Sequence, residues 1–281
     1  MSETNGRTHT YHAEAVVLEG HLRLPLEQDF KPQASAQLPE QGGYLAQHAE
    51  NYRLESVISF RSAYTQVAGN QDVKAGHGWA TLTTSVVEGL NVLDVLTADR
   101  VVGQIATEHP LVGYVPTVSF LGTRFENLRI AGHPVELEMD LGVLGPKPEN
   151  DAAYTTDSGF LARVTSQYNR IRAGQDLPAD LGERYNRLAS TLGSPEEVEC
   201  SLVNRATGGF PGPCFGHVIT IPNFGEITLA KLTLTHEDFK PESGVPEKTT
   251  LQLTMIDLKL GCAIAGNASV VALSTNGQSK P

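Results

Sequence analysis

Along most of the chain, apolar and polar residues alternate with a period of two, in runs cut by Gly, Pro and Asn turns. That is the pattern of strands with one face buried. Residues 13–24 carry it, as do 52–60, which are β-branched and aromatic. So do 79–87, the valine-rich 97–107, and 115–120. Residues 128–141 read as a strand pair around the turn Ala131-Gly132-His133-Pro134. In the last third, 217–221 and 226–236 flank the turn Pro222-Asn223-Phe224-Gly225. Residues 249–260 follow, with Leu251, Leu253, Met255, Leu258 and Leu260 expected on one face, and 268–274 form the final strand.

The period changes between Asp157 and Leu192. Phe160, Leu161, Val164, Tyr168 and Ile171 make one helical stripe, with Asp157 or Ser158 as its cap and Gly174 as its stop. Leu177, Leu181, Tyr185, Leu188 and Leu192 repeat the spacing, with Pro178 suited to a first helical turn. The expected architecture is therefore mainly β: an antiparallel sandwich or barrel-like body carrying an inserted helical hairpin. Residues 1–150 form the first part of the body, 151–197 the hairpin and 198–281 the second part. The two stripes are expected to pack mainly on each other, which would make the hairpin dispensable for folding of the body. Its arginines, Arg163, Arg170, Arg172, Arg184 and Arg187, read as a solvated face or as a partner-binding element.

Composition narrows the partners. The chain has 281 residues, 32 acidic against 21 basic, and a formal net charge of -11. That field repels phosphate, so nucleic acid is not an expected partner. No run approaches the roughly 20 apolar residues of a membrane-spanning helix. No basic segment followed by an apolar one opens the sequence, so the expected compartment is cytoplasmic, or the cell surface if export uses another route. Three cysteines do not describe a disulfide scaffold.

Chemical candidates are few. Cys214 and His217 are spaced to meet one ion from a single turn, and Cys200 and Cys262 would complete a thiolate–imidazole set suited to zinc. The competing readings are cysteines packed as small hydrophobes, and a Cys200–Cys214 disulfide. No cofactor is expected. Asp94 and Asp99 flank a short turn and could hold a cation or cap the turn. Trp79 could stack on a sugar ring or pack in the core. His9, Tyr11, His12, Glu14 and Glu19 cluster near the start, in a segment expected to fray.

Three segments together resemble the bacterial choice-of-anchor P family of surface-associated β proteins. They are Ala13-Glu14-Ala15-Val16-Val17-Leu18-Glu19-Gly20-His21-Leu22-Arg23-Leu24-Pro25 with Leu38-Pro39-Glu40-Gln41-Gly42-Gly43-Tyr44; Val87-Glu88-Gly89-Leu90 through Thr97-Ala98-Asp99-Arg100-Val101 with Leu128-Arg129-Ile130-Ala131-Gly132; and Gly225-Glu226-Ile227-Thr228-Leu229 with Leu253-Thr254-Met255-Ile256. The resemblance implies a secreted or wall-attached β protein, here without its leader and anchor, and transfers no catalytic residue. The functional expectation is a non-enzymatic structural or binding protein, self-assembling as a homo-oligomer or surface-associated. The alternatives are a small-molecule or metal-dependent enzyme and a carbohydrate-binding module.

Overall fold

The computed structural model describes residues 8–24, 27–71, 78–192, 196–238, 247–261 and 264–280. In chain order the strands begin β1 (Thr8–Thr10), β2 (Ala13–Leu24), β3 (Gln28–Gln33), β4 (Ala36–Gln37), β5 (Gly43–Leu54), β6 (Ile58–Gln71), β7 (Trp79–Val92) and β8 (Leu96–His109). Shorter strands follow: β9 (Thr117–Ser119), β10 (Arg124–Glu126), β11 (Arg129–Ile130) and β12 (His133–Met139). Helices α1 (Ser158–Arg172) and α2 (Ala179–Thr191) come next. The chain ends with β13 (Glu197–Ser201), β14 (Val203–Gly208), β15 (Cys214–Phe215), β16 (Val218–Ile221), β17 (Gly225–Glu237), β18 (Lys248–Gly261), β19 (Ala265–Thr275) and β20 (Gln278–Lys280).

Two sheets of nine strands face each other. The first runs β14-β12-β11-β8-β7-β6-β5, with β9 and β10 added on β8. The second runs β15-β16-β17-β18-β19-β2-β3, with β13 added on β17 and β4 on β2. The N-terminal β2, β3 and β4 thus complete a sheet otherwise built after the helices, so both chain halves share one core. The facing is direct: a methyl placed on Gly103 of β8 would meet Leu273, Val271 and Met255 of the second sheet. Ser85 Oγ donates across the gap to the Val16 carbonyl at 3.3 Å. At one end the layers are stitched by Ala206 N–H donating to the Gly216 carbonyl, 2.9 Å. At the other end lie β5 of one sheet and β3 of the other.

The long strands do not keep one parity. In β18 Leu251, Leu253 and Met255, then Ile256, Leu258 and Leu260, are all buried, so the residues expected on one face do face the core, but across a change of parity. The slip falls on one row across the sheet, at Val17/Leu18, Met255/Ile256 and Val270/Val271, beside Ala230 and Val271 with positive φ. The Lys231–Asp257 ion pair spans that row on the opposite face. The same half of each residue set therefore stays inward through the bend. The first sheet repeats the device where Gly89, at φ 65, allows the break in β7. Arg61 and Arg100 grip Glu88 there from the two neighbouring strands. One expected strand, 52–60, holds a turn at Glu55–Val57, where Glu55 has φ 46.

The helices sit where the period predicted them. Asp157 caps α1 through its carboxylate, which accepts from Phe160 N–H at 2.6 Å. Pro178 stands just ahead of α2, as its cap position, rather than inside its first turn. The stripes are not self-contained. Gln167 Nε2 donates to the Ser201 carbonyl and its Oε1 accepts from Ser201 N–H, and Tyr168 hydroxyl donates to the Glu199 carbonyl. Phe160, Val164, Tyr168, Ile171, Leu181 and Tyr185 belong to the same buried cluster as the strands. The expectation that the hairpin packs mainly on itself is corrected: it is docked on β13, β15 and β17.

Candidate functional site

Two of the sequence candidates meet inside the fold. β1 pairs with β20, which carries His9 to the end of the sandwich instead of leaving it frayed. There the His9 ring stacks on Trp79 at 5.1 Å between centroids and 11° between planes. Tyr11 meets His9 edge-on at 4.7 Å, and His109 lies at 4.7 Å on another side. His9 Nδ1 is 3.0 Å from Ser279 Oγ. Burial, with no bulk water to solvate a charge, lowers His9 to about 4 and His109 to about 3, the latter helped by the neighbouring imidazole. Gly277 closes over the pair: a methyl there would lie 2.7 Å from His9 Nε2 and 3.0 Å from His109 Nε2. Trp79 is 4% exposed, so the sugar-stacking candidate is corrected to core packing.

The other candidates separate. Asp94 lies exposed in the β7–β8 turn, where Asn91 Nδ2 donates to its carboxylate at 2.6 Å and its own N–H donates back to Asn91 Oδ1. Asp99, also exposed, accepts from Asn127 Nδ2 at 2.6 Å. Each carboxylate has its own amide, as in turn-stabilising motifs, and the two are held by different partners.

Cys200, Cys214 and His217, the described members of the proposed thiolate set, do not gather around one position. Cys200 and Cys214 are both free, which excludes the disulfide. Burial pushes both thiols up, away from the thiolate a metal needs. His217 is buried, is lowered to about 3 by burial, and is hydrogen-bonded to Tyr185 hydroxyl at 3.0 Å. Cys262 lies outside the described residues. Among the described residues no group of three or more His, Cys, Asp or Glu side chains gathers around an ion-sized position.

What surrounds His217 is a docking joint. Arg184 of α2 reaches Glu199 on β13 at 2.5 Å and Glu226 on β17 at 3.5 Å. Arg163 donates to the Val143 and Leu144 carbonyls, and Arg170 to the Asn204 carbonyl. Three of the five hairpin arginines therefore fasten the hairpin to the body, and only Arg172 and Arg187 remain exposed and unbonded among those described. A cleft of about 650 Å³ lies between the helices and β17, with Glu196, His236, Asp238 and Glu247 on its wall. His236 stands on that wall, 3.5 Å from Asp238 and 3.4 Å from Glu247, and burial lowers its pKa from the ordinary imidazole value despite those carboxylates.

The most accessible working surface is one that the sequence pattern did not mark as a strand. β5 pairs with β6 from Gly43↔Gly69 to Leu54↔Ile58, and among the described residues it pairs with nothing else. Its residues from Gly43 to His48 are exposed whichever face they take. Tyr44 is 65% exposed and Leu45 36%, and Tyr64 of β6, opposite His48, is 37% exposed. Period-two alternation cannot reveal a strand that is wet on both faces. The usable signal was the hairpin complement: residues 43–54 mirror 58–69 about the turn at Glu55–Val57.

The family described as a domain of unknown function, DUF8256, matches residues 9–235. No curated protein and no solved structure matches the chain.

Proposed function

The chain belongs to the DUF8256 family, a domain of unknown function, and from that premise we propose that it is a non-enzymatic binding protein of structural type that works by accepting an extended strand on the free edge of β5. The observation that carries the reading is the exposure of β5 on its edge and on both faces. A free edge offers a row of backbone donors and acceptors that only another extended chain can satisfy together. Folds usually blunt such edges with Pro, Lys or a covering loop. Between Gly43 and Leu54 there is no Pro and no Lys, and the two charges, Glu50 and Arg53, stand at one end. The surface-associated setting implied by the sequence resemblance suits a protein whose work is attachment.

The test uses a synthetic peptide copying residues 43–54, titrated into isotopically labelled protein. Amide shifts confined to β5 and its β6 neighbours are expected, and a Tyr44→Lys/Ala46→Lys variant should lose them while keeping its thermal midpoint. Shifts elsewhere on the molecule, or undiminished binding by the variant, would overturn the reading.

A further inference from the structure

Building on the edge reading, we infer that the strand β5 accepts is β5 of a second copy, paired antiparallel about a two-fold axis that passes through Gln47. The occupant must be extended, because the free row runs from Gly43 to Glu50 before the positive φ of Asn51 (53°) interrupts it. A two-fold axis between antiparallel edge strands stands perpendicular to the sheet and keeps each residue on its own face. Opposed residues then share a parity, and one residue faces its own copy. Placing the axis at Gln47, the middle of Tyr44–Glu50, opposes Gln47 to Gln47, Ala46 to His48, Leu45 to Ala49 and Tyr44 to Glu50.

That register suits these side chains. Two Gln amides meet at the centre, where donor and acceptor of one satisfy acceptor and donor of the other. Leu45 and Ala49 lie on the parity that faces the second sheet, since they pair with Val67 and Ala63, which are buried. Opposing them across the axis covers Leu45, which the monomer leaves 36% exposed. The other parity sets Tyr44 against Glu50, so a hydroxyl meets a carboxylate and no like charges stand opposite. Among the described residues no strand other than β6 pairs with β5, so its outer edge is open to a second copy. The first sheet then runs unbroken through two copies, and the exposed edge disappears.

The axis residue makes the register testable. With Gln47→Cys, each thiol faces its own copy, and mild oxidation should give a disulfide-linked dimer in high yield. Tyr44→Cys alone should give little, whereas mixing Tyr44→Cys protein with Glu50→Cys protein should cross-link. The parent, whose Cys200 is buried and Cys214 half-buried, serves as background. Sedimentation should show a concentration-dependent dimer that Leu45→Lys shifts to monomer by roughly tenfold or more in Kd. A monomer throughout, or a dimer that ignores Leu45→Lys and fails to cross-link through Gln47→Cys, overturns self-pairing. The 43–54 peptide separates the two ideas. Peptide binding by a protein that stays monomeric leaves the edge reading standing and removes this one, and absence of both removes both.

Discussion

His9 and His109 are neutral in the folded protein because their imidazoles sit among Trp79, Tyr11 and each other, where a charge has no water. The unfolded chain titrates them near 6.5, the folded one at about 4 and about 3, and His217 behaves like His109. Between those values the unfolded state binds more protons. Stability is therefore full above about pH 6.5 and falls as the pH drops, at about 1.4 kcal/mol per pH unit for each imidazole. His9→Phe keeps a flat ring against Trp79 and removes one titration, so the slope between pH 6 and 4.5 should fall by about that amount. Urea midpoints across a pH series measure it, and an unchanged slope would mean that His9 is solvated. The sequence marked His9, Tyr11 and Trp79 separately, but neither His109 nor the nest they form. The Ser279 partner of His9 lies 270 residues away, and nothing local to a terminal His-x-Tyr signals that it will be paired.

At the scale of elements, strands with one wet face were legible because burial writes itself as alternation, and the helices because their stripes repeat at 3.6. Two things were not legible for physical reasons. The parity slip at Met255/Ile256 comes from a bend shared by neighbouring strands, with left-handed backbone at Ala230 and Val271, residues whose types give no warning of it. The docking of the hairpin depends on Arg184, which on a helical wheel reads as surface. It is 27% exposed and holds Glu199 and Glu226, both more buried than itself. Arg184→Ala leaves two partly buried carboxylates without their cation and should cost about 2–3 kcal/mol in equilibrium unfolding. Arg184→Lys, a point charge without the fork, should recover part of that. A cost under about 0.5 kcal/mol for the alanine variant would show that the joint is solvent-screened and that the hairpin is held by its apolar residues alone.

The whole molecule adds a term that neither residues nor elements reveal. Each copy carries a formal net charge of -11, while the proposed contact strip from Tyr44 to Glu50 holds no Lys or Arg and one acid, Glu50, set opposite the neutral Tyr44. Association through β5 therefore brings two negative bodies together without ionic contacts to repay the repulsion. Two such charges centred about 40 Å apart repel by several kcal/mol at low salt, where the Debye length is about 30 Å, and by much less at 0.15 M, where it is about 8 Å. The dimer should tighten, by roughly tenfold or more, as sodium chloride rises from about 10 to 150 mM, and then level off. Sedimentation equilibrium at each salt concentration reads this directly. Weakening with salt would instead mark an ionic interface, such as Arg172 and Arg187 of one copy meeting the acidic wall of Glu196, Asp238 and Glu247 on another. The sign of the salt dependence thus distinguishes a strand edge without ion pairs from a charged docking face.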